Sequence, residues 1–321
     1  MNQHSVALLL LSTPCKYDKP VPQKLYSIAL QKSNFETPTK TVTMTTVQYS
    51  QYAHLMKDNV DKTKMFLDMD QSKAYADSRP SYTDEMFKTI ADYCKETNPD
   101  LNLAVDVGCG PGMSTIGFAK YFKKVIGVDV SETQVACAPK DVPNCEFKVG
   151  YSDKLPFIKS GTVDLFCSGE SFNLMPQKET FAEADRVLKP GGSIAIFGYD
   201  VPVADNAEVQ ACIQKFGIKI FQFYPKETAQ LLDRFSNLQL PYPGWIRNDE
   251  IKLTMKYTVK QYADFMKSTW ALRAYREAHP DEDFLGDLTK ELNEALERSG
   301  GATDYTVTWN LFLLMAHKPK N

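Results

Sequence analysis

The sequence predicts a doubly wound α/β fold, and three observations carry that prediction. Short apolar segments alternate with amphipathic ones from residue 84 onward. A glycine-rich turn, Gly108-Cys109-Gly110-Pro111-Gly112, joins the first apolar segment to a helix-compatible one. The closing segment, 303–317, alternates through Tyr305, Val307 and Trp309 and then turns wholly apolar. In folds of this class a strand, a glycine turn and a helix bring backbone amides to the strand's carboxyl end, where ligands bind.

The elements follow in order. A helix is predicted over 84–97 and a first strand over 103–107, with Asp106 two residues before the first glycine. Glycine belongs in the turn because a Cβ would block close approach of a ligand or forbid a positive φ. Dinucleotide folds show G-x-G-x-x-G; here the third glycine comes one residue earlier. The helix-compatible stretch 113–122 leads to a second strand, 124–129, that ends in Asp129. An acid at that place can accept both hydroxyls of a ribose. A third strand, 145–149, runs into Tyr151-Ser152-Asp153, whose polar groups suit the edge of a base. The fourth strand spans 163–168 and its helix 181–188. Lys189-Pro190-Gly191-Gly192 ends that helix, because proline lacks the amide donor and glycine tolerates a left-handed cap. A fifth strand covers 193–199. Beyond it come helices over 209–216 and 226–235, a proline-broken loop at 240–245, a strand at 252–257 and helices over 260–277 and 281–298. The last strand, 303–317, is apolar from 311 to 315, as expected of a strand buried on both faces.

Asp106-Val107-Gly108-Cys109-Gly110-Pro111-Gly112 resembles motif I of the class I S-adenosylmethionine (SAM) methyltransferases. Glu183-Ala184-Asp185-Arg186-Val187-Leu188-Lys189-Pro190-Gly191-Gly192 resembles their E-A-x-R-V-L-K-P-G-G segment. The lead-in Tyr75-Ala76-Asp77-Ser78-Arg79-Pro80-Ser81-Tyr82 is similar to the Y-x-x-x-R-P-x-Y stretch of the trans-aconitate methyltransferase-like group of small-molecule methyltransferases. Ser268-Thr269-Trp270 and the Trp309 strand extend that likeness, which covers roughly residues 66–318.

The resemblance implies a Rossmann-like sheet of seven strands, mostly parallel with the last antiparallel, and a helical insertion near the C-terminus. It implies SAM as cofactor, held by Asp106, Gly108, Gly110, Gly112 and Asp129. Ser152 and Asp153 would then line the adenine, with Ser168 at the end of the fourth strand. Tyr75 and Arg79 would close the pocket, Arg79 forking onto the methionine carboxylate with two parallel hydrogen bonds. One departure concerns the acceptor: relatives often place His-Trp after the fourth strand, where this chain has Asn173-Leu174, and Asn is no general base. Glu170 is the one acid expected near the methyl, as a base, a contact to the cofactor amine or a helix cap. Asn173, Trp245, Trp270, Arg273 and Tyr275 are candidates for the acceptor pocket; core packing is the alternative for the aromatics and an exposed ion pair for Arg273.

Composition narrows the partners. A net charge of −3 with scattered lysines offers no basic stripe for nucleic acid. Seven cysteines without a C-x-x-C pair indicate reduced thiols and a cytoplasmic protein, and the four histidines lack metal-ligand spacing, so no metal is expected. Residues 1–46 are expected to be a disordered leader, with Met44 as a second possible start; their apolar run is too short to span a bilayer. Residues 47–321 form one expected domain, with a cofactor half at about 66–200 and acceptor-side helices and strands at about 201–321. The function expected is methyl transfer from SAM to a small molecule, by O-methylation of a carboxylic acid. Transfer to another small metabolite or to a macromolecule, and SAM binding without catalysis, are the alternatives.

Overall fold

The computed structural model describes residues 54–58, 60, 65, 69, 72–73 and 78–320. The expected leader, Met44 and Tyr75 lie outside the described residues.

Helix α1 (Asp84–Lys95) opens with Thr83, whose side chain accepts from the Met86 amide, and its buried face carries Met86, Phe87 and Ile90. The central elements are β1 (Leu103–Val107), α2 (Met113–Phe118), β2 (Lys124–Asp129), α3 (Glu132–Ala136), β3 (Cys145–Val149), β4 (Val163–Gly169), α4 (Gln177–Val187) and β5 (Leu188–Tyr199). There follow β6 (Val203–Ala204), α5 (Ala207–Phe221), α6 (Thr228–Leu232), β7 (Ile246–Asn248), β8 (Lys252–Thr258), α7 (Val259–Lys267), α8 (Trp270–Ala278), α9 (Phe284–Arg298) and β9 (Asp304–His317).

The sheet runs β3-β2-β1-β4-β5-β9-β6, and β7 and β8 also pair with β9. Pairs from β3 to β5 are parallel, whereas β9 is antiparallel to β5, with Ser193 opposite His317 and Tyr199 opposite Leu311. This is the Rossmann-like α/β arrangement expected, with nine strands among the described residues rather than seven. The two additions, β6 and β7, are too short to show a period. Burial along β9 explains its sequence: side chains alternate up to Asn310, where β8 and β6 lie beside it, and are continuously buried from 311 to 316 between β5 and β7.

Two helices differ from expectation in ways that shape the site. The stretch 260–277 is two helices, because Thr269 accepts from the Leu272 amide and starts α8 afresh. The helix expected at 226–235 shortens to α6, since Arg234 and Phe235 take left-handed φ of 54° and 51°. Strand order reverses around β1, which lies between β2 and β4. In a doubly wound sheet, that reversal opens a crevice at the strands' carboxyl ends.

Candidate active site

A cavity of about 270 Å³ fills that crevice. Its floor is made by the residues at the ends of four strands: Gly108 after β1, Asp129 of β2, Gly169 and Glu170 at β4, and Tyr199 of β5. Ile213, Ile220 and Phe221 of α5, Leu231 and Leu232 of α6, and Phe265 and Met266 of α7 supply apolar wall.

The three glycines of the turn all have positive φ, 68°, 56° and 93°, but they are needed for different reasons. A Cβ on Gly108 would come within 2.6 Å of Met175 and Ser171, which pack behind the turn. On Gly110 a Cβ would meet nothing nearer than Gln134 Oε1 at 3.8 Å, so there it would intrude on the cavity itself. On Gly112 it would strike the Phe147 ring at 2.5 Å. Gly112 lies outside the cavity lining; it serves packing and the left-handed start of α2.

Asp106 also stands behind the turn rather than in the cavity. It is fully buried, and its Oδ2 accepts from the hydroxyls of Ser114 and Thr115, each at 2.7 Å, on the first turn of α2. Burial pushes its carboxyl up to about 6, against the pull of those hydroxyls. It is therefore a positioning residue that holds α2 against β1.

Asp129 does line the cavity. Its Oδ2 accepts from the Gly110 amide at 2.8 Å and its Oδ1 from the Ser131 amide at 2.8 Å. Burial raises its pKa and these amides oppose the rise. Beside it, Gln134 is 2 % exposed, and its Oε1 has no hydrogen-bond partner among the described residues. A buried acceptor without a donor is costly, on the order of 1–3 kcal/mol. A bound nucleoside brings the hydroxyls that would satisfy it, so these residues fit the ribose end of SAM.

At the other end, Arg79 donates from Nε to Ser268 Oγ at 3.1 Å and from a terminal nitrogen to Tyr199 Oη at 3.4 Å, 5.0 Å above the Phe265 ring. Ser268 is in position because the chain breaks between α7 and α8. Glu170 carries a left-handed φ of 57°, unusual for a residue with a side chain. Its Oε1 accepts from the Tyr199 amide at 2.6 Å, in space that a side chain on Gly198 would fill. Burial raises its pKa to about 8; the Tyr199 amide and Arg79 oppose that rise, and Asp200 adds to it. Asp200 itself is committed, since its two oxygens accept from Asn310 N at 3.0 Å and Nδ2 at 2.9 Å.

Of the residues singled out from sequence, the cavity brings together Arg79, Gly108, Gly110, Asp129, Glu170, Asn173 and Trp270. The others among the described residues stand elsewhere. Ser152 is buried against Thr180, 2.8 Å between hydroxyls, and Asp153 sits on the tight turn closed by Lys154 N and Tyr151 O. Ser168 is fully buried within β4, facing Met175. Trp245 packs on the core cluster around Phe235 and Phe312. Arg273 pairs with Glu277 at 3.1 Å over the Trp270 ring. Tyr275 packs on Phe223 and Phe284 and donates to Glu282. For Trp245, Arg273 and Tyr275 the structure supports the packing or ion-pair alternative.

Sequence reading passed over Gln134 and Ser171. Ser171 donates from Oγ to the Gly108 carbonyl at 2.9 Å and ties β4 to the turn. Its only sequence signal was its place just beyond the fourth strand.

Fold and site thus define a doubly wound α/β protein built around a nucleoside cofactor. A methyltransferase-domain family model matches residues 105–196. The chain is 26% identical to a Dictyostelium discoideum protein assigned as a methyltransferase, over 77% of this chain and 93% of that one. It is 24% identical to a Saccharomyces cerevisiae protein assigned as a SAM-dependent methyltransferase, over 77% and 96%. A solved structure from Anaeromyxobacter dehalogenans, described as a type II methyltransferase, superposes with a TM-score of 0.63 over 76% of this chain and 99% of that one, at 22% identity. The chain is a SAM-dependent methyltransferase with SAM as its cofactor, and it is similar to the class I enzymes.

Among the described residues no three His, Cys, Asp or Glu side chains gather as a metal site, and no helix is long and apolar enough to cross a membrane.

Proposed function

We propose that the enzyme methylates a carboxylate oxygen of a small, largely apolar molecule. The observation that carries this reading is Glu170, a buried acid in the cavity whose pKa of about 8 keeps it protonated at neutral pH. Its Oε1 accepts from the Tyr199 amide, which leaves Oε2 to carry the proton. A neutral acid held this way donates a strong hydrogen bond to a carboxylate. A bound ammonium would instead draw that proton off, against the burial that holds it there.

A carboxylate is already a nucleophile, so no proton need be removed before transfer; a phenol or ammonium needs a base. When bound, SAM supplies an electrophilic methyl on a positively charged sulfur. The chain's part is to orient and to exclude water. Orientation of two reactants contributes on the order of 7–11 kcal/mol to lowering a barrier of this kind. Phe221, Leu231, Phe265, Met266 and Trp270 give the acceptor an apolar chamber, and that dryness strengthens every charge interaction inside. Arg79 is assigned to the methionine carboxylate, as the likeness to the trans-aconitate methyltransferase-like group implies. A cavity of about 270 Å³ favours a metabolite over a macromolecule.

The test is a panel of size-matched carboxylic acids, phenols and amines, incubated with methyl-labelled SAM and read by mass spectrometry. Label in methyl esters is expected. Label on amines or phenols, with the acids untouched, overturns the proposal.

A further inference from the structure

We propose that the cofactor's ribose diol is shared, with one hydroxyl donating to Asp129 and the other to Gln134. The usual expectation for an acid at the end of β2 is that it accepts from both hydroxyls. A carboxylate has about four acceptor positions. In this chain the backbone amides of Ser131, Gly110 and Val130 all bear on Asp129, and the first two are direct bonds of 2.8 Å. Three amides leave room for about one further donor.

Gln134 supplies the second acceptor, and the structure shows why it is available. Ser131 begins α3, and its hydroxyl accepts from the Gln134 amide at 3.2 Å. In a complete capping box the Gln side chain reaches back to the amide of the cap residue. The same chain contains such a box: at α7 the Thr258 amide donates to Gln261 Oε1 at 2.9 Å. At α3 the box is half made, because the Ser131 amide is already committed to Asp129 Oδ1. Gln134 Oε1 is left buried and without a partner among the described residues. It stands 3.8 Å from where a Gly110 side chain would begin, in the same space that Asp129 borders. A ribose diol brings two O–H protons and two acceptors await them.

The experiment measures equilibrium binding by titration calorimetry, with S-adenosylhomocysteine and its 2′-deoxy and 3′-deoxy forms as probes. Wild-type protein, Gln134→Leu and Asp129→Asn are compared, with thermal melting as a check of fold. On wild type each missing hydroxyl is expected to weaken binding by about threefold to tenfold. In Gln134→Leu one of those two penalties disappears and the other persists; in Asp129→Asn the pattern reverses. Gln134→Met replaces the leucine variant should that one fail to fold. Both penalties persisting in the Gln134 variant would show that Asp129 holds the whole diol and would overturn the proposal. This outcome is independent of the acceptor, so it leaves the carboxylate reading untouched.

Discussion

Replacing Asp106 by Asn should flatten the pH dependence of stability and leave cofactor binding near wild type. Asp106 is fully buried, and its partners are two hydroxyls and the Cys167 thiol. Folding raises its pKa from an ordinary 3.8 to about 6. The native state therefore holds the proton more tightly than the unfolded chain. Its stabilising contribution is complete below about pH 4 and is lost as pH rises through 6. At 1.36 kcal/mol per tenfold, the loss is about 3 kcal/mol. Asparagine is neutral and keeps the partners, because the hydroxyls of Ser114 and Thr115 converge on a single oxygen. Its amide then faces the Cys167 sulfur. Urea unfolding at about pH 4.5 and pH 8 measures the difference. The variant should match or exceed wild type at the higher pH, by up to about 3 kcal/mol, and should lose less between the two. An Asn variant less stable than wild type at pH 8, with the pH slope unchanged, would refute the desolvation account.

Further results are expected from the turn and from the segment before α1. Gly110→Val should abolish S-adenosylhomocysteine binding in calorimetry with the circular dichroism spectrum retained, whereas Gly112→Ala should mainly lower the melting temperature, because its Cβ meets Phe147; equal cofactor affinity in wild type and Gly110→Val would sink the idea. The segment before α1 touches the roof through Met56 on Phe221, the cavity through Met65, and α3 through Ser72 on Thr133. A chain beginning at Met44 should keep cofactor affinity, and one beginning after Tyr82 should lose it. Bound S-adenosylhomocysteine should slow hydrogen exchange across 78–82, where Arg79 and Tyr82 line the cavity, and no change in protection there would count against a closing role.

What was legible in the sequence was what local chemistry compels. The glycine turn announced itself because all three positions need left-handed backbone. The strands β1 to β5 showed as short apolar runs, and β9 showed its change from one-sided to two-sided burial. Sequence spacing alone left other features open. Tyr275 and Trp270 lie on the same short helix, yet one faces the core and the other the cavity. Amphipathic spacing says that a face is buried, without saying against what. Asp106 belongs to the motif but serves through Ser114 and Thr115, a contact that requires the helix to be folded back on the strand.

Gln134 and Gln261 show how two local patterns compete. Both stand three residues after a hydroxyl residue that starts a helix, the spacing of a capping box. At Gln261 the box is complete. At Gln134 it fails, because β2 delivers Asp129 to the Ser131 amide first. The competitor is itself local, since Asp129 stands two residues before Ser131 and closes an Asx turn on that amide. A buried polar atom that loses its capping partner to a nearer one is left beside the cavity. The departure from local pattern falls where the cofactor binds.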